Sequence, residues 1–237
     1  MQKTGKPIGL SREEKMIRAV LFDMDGTMFD TERLSMEGWL RAAKAKNNGL
    51  DREHFLLFRG RTVPANAAAF ASWYGSEELY YEMRKLRTEY IQNYLKENGM
   101  PIKPGLFELL KLLKKKNLKT CIATSTKRDQ AEQYFVQTGV KDYFTDTVCG
   151  DEVEKSKPDP EIFLKAAEKI GEKPENCLVL EDSPNGILAA KAVGCMAFMI
   201  PDLAPAEEEI KGVFDRECAS LLEVAEIIET WPDVPQN

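Results

Sequence analysis

The 237-residue chain is long enough for one large domain or two modest ones with a real core. With 43% hydrophobic and 30% charged residues its composition is that of an ordinary soluble globular protein, and a formal charge of −6 argues against a generic nucleic-acid binder. No apolar run approaches the roughly 18 residues needed to span a bilayer, so no membrane partner is expected.

Residues 1–15 are polar and charged without the apolar centre of a secretory signal, and read as a loose arm ahead of the fold. Ile17 to Phe22 is an apolar run that ends in Asp23-Met24-Asp25-Gly26-Thr27, as a buried strand delivering two acids to its carboxyl end would. Thr31 to Lys46 then has a helical face of Met36, Trp39, Leu40 and Ala43, stopped by Asn47-Asn48-Gly49. A less periodic stretch holding His54 to Phe58 leads into the loop Arg59-Gly60-Arg61-Thr62-Val63-Pro64 and a short helix, Ala65 to Trp73. Glu77 to Glu97 is the longest helical pattern, striped by Leu79, Met83, Leu86, Tyr90 and Tyr94.

At Met100-Pro101-Ile102-Lys103-Pro104-Gly105 the character changes to a stiff linker. Beyond it helices and strands alternate. Helix Leu106–Leu113 precedes strand Leu118–Ala123; a helix around Tyr134 and Phe135, closed by Gly139, precedes strand Tyr143–Cys149. Asp159-Pro160-Glu161 reads as N-cap, N1 proline and first-turn acid of a helix bearing Ile162, Phe163, Ala166, Ala167 and Ile170. Strand Cys177–Leu180, helix Ile187–Val193, strand Cys195–Ile200 and helix Leu221–Ile228 follow. Short strands apolar on both faces, alternating with helices, imply a Rossmann-like α/β parallel sheet covered on both sides. The core is therefore expected over 16–30 and 100–237, with 31–99 inserted as an α-helical cap. Five widely spaced cysteines without a CxxC pair read as buried thiols in a reducing cytoplasm.

Ligands bind outside the carboxyl ends of strands in such sheets. Four polar signals fall there: Asp23 and Asp25; Thr124-Ser125-Thr126; Lys157 in Lys155-Ser156-Lys157-Pro158-Asp159-Pro160; and Glu181-Asp182. Two carboxylates about 4 Å apart repel by roughly 4 kcal/mol at an effective dielectric near 20. Four of them opposed by Lys157 alone require either protonation or a divalent cation, and an all-oxygen donor set favours Mg²⁺ over zinc. Mg²⁺ beside a free carboxylate and a lysine describes a phosphoryl-transfer centre.

These four stretches, the last running Leu180-Glu181-Asp182-Ser183-Pro184-Asn185-Gly186, resemble the four ordered motifs of the haloacid dehalogenase superfamily. A helical insertion after the first motif resembles its helical-cap subclass, which includes β-phosphoglucomutase-like and phosphoglycolate-phosphatase-like enzymes. The resemblance implies Asp23 as nucleophile forming an aspartyl phosphate, Asp25 as general acid and base, and Thr124 and Lys157 as holders of the transferring group. It implies metal held by Asp23, the backbone carbonyl of Asp25, Asp182 and, directly or through water, Glu181. Candidate substrate-binding residues are Thr31, Glu32, Ser125 and, in the cap loop, Arg59 and Arg61. Asp25 sets the chain apart from the dehalogenase branch. The mutases carry a histidine in the helix after the first motif where this chain has Ser35, which favours hydrolysis. The expected substrate is a small phosphorylated metabolite, a sugar or polyol phosphate, and the expected form is a cytoplasmic monomer. A β-phosphoglucomutase-type reaction is the alternative. A phospho-accepting switch module is a distant one, since such receivers are about half this length and lack the insertion.

Overall fold

Ala19 to Phe22 has no exposed face, and the chain builds its sheet around it. A computed structural model describes residues 16–58, 62–206 and 208–235. The arm 1–15 and the cap-loop residues Arg59 and Arg61 lie outside the described residues. Strand β1 (Ala19–Phe22) sits between β2 (Lys119–Ala123) and β4 (Cys177–Glu181), with β3 (Asp146–Val148) beyond β2 and β5 (Met196–Met199) and β6 (Arg216–Glu217) beyond β4. All these pairings are parallel. Phe22 is level with Ile122 on one side and Leu180 on the other, so the residues after all three strands emerge at one edge. The strand order reverses direction at β1, which opens a crevice there.

Alternation along the strands divides the core in two. Val20, Phe22, Ile122, Leu178 and Leu180 face one layer, formed by helices α5 (Leu106–Lys115), α6 (Arg128–Thr138) and α9 (Leu221–Glu229). Ala19, Leu21, Cys121 and Val179 face the other, formed by α7 (Glu161–Lys169) and α8 (Pro184–Ala192). Each large apolar side chain buried this way contributes roughly 1.5–3 kcal/mol. The five cysteine thiols are buried and form no disulfide, and burial pushes those of Cys121 and Cys218 up to about 12 and that of Cys149 to about 11.

Between β1 and α5 the described residues form four helices, α1 (Thr31–Ala45), α2 (Arg52–Leu56), α3 (Val63–Tyr74) and α4 (Glu77–Asn98). They share an apolar centre of their own, including Trp39, Phe55, Phe58, Phe70, Tyr80 and Met83. Gly38 lets α1 and α4 approach closely; a Cβ there would meet Arg87 Cγ at 3.0 Å. The chain enters and leaves this bundle side by side, with the Asp30 N–H donating to Pro101 O at 2.9 Å and the Lys103 N–H to Met28 O at 2.9 Å. Among the described residues no helix is long and apolar enough to cross a membrane.

Three local expectations need correction. Helix α7 starts one residue later than its acid-proline signal implies: Pro160 is the N-cap, and Asp159 Oδ1 instead accepts from the Glu161 N–H at 3.1 Å. The strand expected from Tyr143 begins only at Asp146, because residues 140–143 close into a 3₁₀ turn after Gly139. Strand β6 was not expected; it is two exposed charged residues at the sheet edge, with no apolar alternation to reveal it.

Candidate active site

Beyond Phe22 the backbone keeps its ladder for one more residue, the Asp23 N–H donating to Leu180 O at 3.0 Å. That bond fixes Asp23 at the edge of the sheet, where it is 7% exposed. The chain then turns through Gly26 at φ +86°, a conformation that only glycine adopts freely. The turn also needs glycine for space, since a Cβ would lie 2.5 Å from Asp182 Oδ2. Similarly, α8 can begin against Glu181 only because residue 186 is glycine; a Cβ there would fall 1.6 Å from Glu181 Oε1. Ser183 caps α8 by accepting from the Gly186 N–H at 3.1 Å and donates its own hydroxyl to Glu181 Oε1 at 2.7 Å.

Asp23, Glu181 and Asp182 each offer a carboxylate oxygen, all within 4.8 Å of one another, and all three residues are buried. Lys157 reaches them from the loop before α7: Nζ lies 2.5 Å from Asp23 Oδ1, 3.4 Å from Glu181 Oε1 and 3.2 Å from Ala123 O, over the Phe163 ring at 4.9 Å. Burial raises the Asp23 pKa well above the ordinary carboxylate value, the Glu181 charge adds to this, and Lys157 offsets part of it. For Lys157 burial pulls downward, but the Asp23 and Glu181 carboxylates outweigh it and hold the ammonium charged. Among the described residues these three carboxylates face one ammonium. Glu181 Oε2 is moreover buried without a hydrogen-bond partner. An unsatisfied carboxylate oxygen within an all-oxygen set fits a Mg²⁺ ion or one of its waters. Asp23, Asp182 and Glu181 are the side chains that would hold it.

Asp25 stands apart from this cluster. Its Oδ1 accepts from the Thr31 hydroxyl at 2.7 Å and its Oδ2 from the Thr126 hydroxyl at 2.6 Å. Thr31, a candidate for substrate contact from sequence, thus touches Asp25 and is buried. Thr126 also donates its N–H to Thr124 Oγ1 at 3.0 Å, and so ties Asp25 to the loop after β2. Asp23, Asp25, Thr124, Ser125, Lys157 and the Glu181-Asp182 pair all line one cavity of about 370 Å³, with Glu32, Thr62 and Val63 on the helical side. Thr62 and Val63 directly follow Arg61 in the chain.

Thr126 is a site residue to which the sequence, naming it only within Thr124-Ser125-Thr126, assigns no role. Its signal was a third hydroxyl after β2, but nothing local says that it turns towards Asp25, 101 residues away. Glu161 is another. Its carboxylate accepts from the N–H groups of Glu154 (3.0 Å) and Lys155 (3.0 Å), pinning the loop that carries Lys157. The Lys165 ammonium, then these two N–H groups, lower the Glu161 pKa from 4.5 to about 2. An acid whose folded pKa is lowered contributes its stabilisation above the unfolded value and loses it as pH falls through the folded one. Protection of the Glu154 and Lys155 amides against hydrogen exchange, corrected for intrinsic rates, is therefore expected to fall between pH 4.5 and about 2. Glu161→Gln should lack that dependence; protection that is flat over this range in the parent protein would contradict the assignment.

A family model for haloacid dehalogenase-like hydrolases matches residues 17–194, a stretch holding all four acidic, hydroxyl and lysine signals. The chain belongs to this family. This haloacid dehalogenase-like hydrolase is 34% identical over 182 residues to a phosphorylated carbohydrates phosphatase of Thermotoga maritima, covering 75% of this chain and 82% of that protein. Its fold matches a hydrolase from Pseudomonas syringae with a TM-score of 0.73 at 26% identity, over 90% of this chain and 99% of that one. CbbY from Rhodobacter sphaeroides, solved in complex with phosphate, matches with a TM-score of 0.71 at 28% identity, over 88% of this chain and 96% of that one.

Proposed function

We propose that this hydrolase is a Mg²⁺-dependent phosphatase that releases phosphate from a small sugar or polyol phosphate through an aspartyl phosphate at Asp23. The observation that carries the reading is the division of labour between the two first-motif acids. Asp23 is buried against Lys157 and two further carboxylates, whereas Asp25 is held apart by two hydroxyl groups. Like groups in unequal environments are suited to unequal roles.

In the first step an Asp23 carboxylate oxygen attacks phosphorus while the ester P–O bond breaks. The leaving oxygen takes its electron pair and a proton from Asp25. In the second step water gives a proton to Asp25 and attacks the same phosphorus, so inorganic phosphate leaves and the Asp23 carboxylate is restored. Asp25 must alternate between protonated and ionised forms. The Thr31 and Thr126 hydroxyls suit both, because an O–H can rotate from donating to accepting without moving its oxygen. Thr124 and the Lys157 ammonium hold the oxygens of the transferring group. Bound Mg²⁺ would supply positive charge to those oxygens.

Residues 31–99 would close over the site as a cap, hinged where the paired backbone runs of 28–30 and 101–103 meet. Arg59 and Arg61 would approach the leaving group from the cap loop, with Glu32 and Ser125 also at the cavity; Arg61→Ala should raise KM for the true substrate, and an unchanged KM would remove it from the site. The arrangement needs no second subunit, and a cytoplasmic monomer is the simplest form.

Hydrolysis is favoured over a mutase reaction by Ser35. Its oxygen accepts from Arg87 Nε at 3.1 Å and Nη2 at 2.8 Å, so the place of the mutase histidine is taken by a hydroxyl already engaged with the opposite helix. With β-glucose 1-phosphate and a bisphosphate activator the protein is expected to yield free phosphate; accumulation of glucose 6-phosphate would reverse the reading. Thr126→Val should lower kcat by roughly 10-fold or more, the scale of one hydrogen bond to a charged group, and Thr126→Ser should restore it. Equal rates for the valine variant and the parent would remove Thr126 from the machinery.

A further inference from the structure

Beside the catalytic cavity lies a second one of about 260 Å³, a cleft lined by residues of the helical bundle. Glu32 and Val63 line both, so the two spaces adjoin across these residues. The second cavity has an aromatic wall that includes Trp39, Phe58 and Tyr80, and polar groups that the proposed chemistry does not use. Arg84 and Arg87 stand three residues apart on α4, hence on one face, where like charges repel. Arg87 commits two of its N–H donors to a single neutral oxygen, Ser35 Oγ, and a guanidinium has five. Burial pulls its pKa down, and the nearby Glu32 carboxylate offsets part of this. Across from it Asn66 is 8% exposed; its amide donates to Phe58 O at 3.0 Å and stands beside the Tyr80 hydroxyl, while its Oδ1 is buried and accepts from none of the described residues.

Two arginines and an unsatisfied acceptor beside an aromatic wall describe a built recognition site for a group that is both anionic and hydroxylated. The catalytic end, rich in carboxylates, would repel such a group, and the arginine end would attract it. We propose that the cavity between α1, α3 and α4 receives the far end of the leaving group, and that the preferred substrates are phosphate esters of hydroxylated carbon chains bearing a second negatively charged group, carboxylate or phosphate, away from the scissile ester. The anion pairs with Arg87 and Arg84, and a neighbouring hydroxyl donates to Asn66 Oδ1. This rests on the phosphatase reading and narrows it.

The test compares kcat/KM within matched pairs of esters: glucose 6-phosphate against 6-phosphogluconate for a carboxylate, and fructose 6-phosphate against fructose 1,6-bisphosphate for a phosphate. The expected result is a preference of about 10-fold or more for the doubly anionic member of at least one pair, the worth of a charge-assisted hydrogen bond. The pair showing it identifies the anion. Arg87→Met should bring that ratio close to one, and Arg84→Met, at an exposed position, should lower it without risk to the fold. Equal or reversed preference in both pairs, or a ratio unmoved by both substitutions, would overturn the assignment while leaving the phosphatase reading intact. Failure to release phosphate from any of these esters or from p-nitrophenyl phosphate would overturn both.

Discussion

Lys157→Met is expected to destabilise the metal-free protein by about 3–5 kcal/mol, the cost of removing one partner from a buried ion pair. The lysine side chain is 7% exposed and that of Asp23 10%, so water cannot take over the missing charge. Glu181 is more deeply buried still, and Asp182 completes a cluster in which, among the described residues, the lysine is the ammonium that faces the carboxylates. For a chain of this size a loss on that scale lowers Tm by roughly 10 °C. Mg²⁺ should return much of it, because a divalent cation replaces the lost charge, so the variant should show a larger magnesium-induced rise in Tm than the parent. Thermal unfolding followed with and without Mg²⁺ checks this. An unchanged Tm in the metal-free variant would mean that the acids are already protonated and that Lys157 has no charge to balance.

Asp23→Asn should act in the opposite direction on stability and far more strongly on rate. Burial and the Glu181 carboxylate both disfavour charge at Asp23, and Lys157 offsets only part of this. Substitution by the neutral amide leaves the shape intact and removes a charge that its surroundings resist, so the metal-free variant should be at least as stable as the parent. Turnover should fall by about 10⁴-fold or more, as seen generally when a nucleophile is removed. Opposite signs for Lys157→Met and Asp23→Asn in metal-free unfolding would separate an electrostatic cluster from two merely well-packed side chains. Phosphate release from p-nitrophenyl phosphate, measured for the folded Asp23→Asn protein, provides the rate; residual activity within 10-fold of the parent would place the nucleophile elsewhere. A non-catalytic phospho-accepting module would show no Mg²⁺-dependent release in either form.

What the sequence disclosed and what it concealed divide along physical lines. Apolar runs ending in acids, hydroxyls or lysine are local signals, and a parallel sheet necessarily collects their ends; Asp23, Thr124, Glu181 and Asp182 could be placed together from that alone. Helices α1 and α4 likewise followed from their periodicity. The cap of α7 could not be read to the residue, since Asp159-Pro160-Glu161 satisfies two starts and only the backbone selects Pro160. Strand β6 carries no apolar signal because it is an exposed edge. The Thr126–Asp25 and Arg87–Ser35 contacts join residues 101 and 52 positions apart through side-chain rotamers, which no periodicity encodes. Thr31 is a candidate for substrate contact in the sequence. Its hydroxyl instead donates to the Asp25 carboxylate at 2.7 Å, a partner six residues back across the turn through Gly26.

The central claim is a covalent phosphoryl–Asp23 intermediate, and it can be observed directly. The protein turning over p-nitrophenyl phosphate with Mg²⁺ is quenched in acid and digested, and its peptides are weighed. A single phosphoryl group on the peptide bearing Asp23, removed by hydroxylamine and missing from Asp23→Asn, is the expected result. Phosphate release at full rate with no phosphoryl group on that peptide, or with the group on another residue, would contradict it.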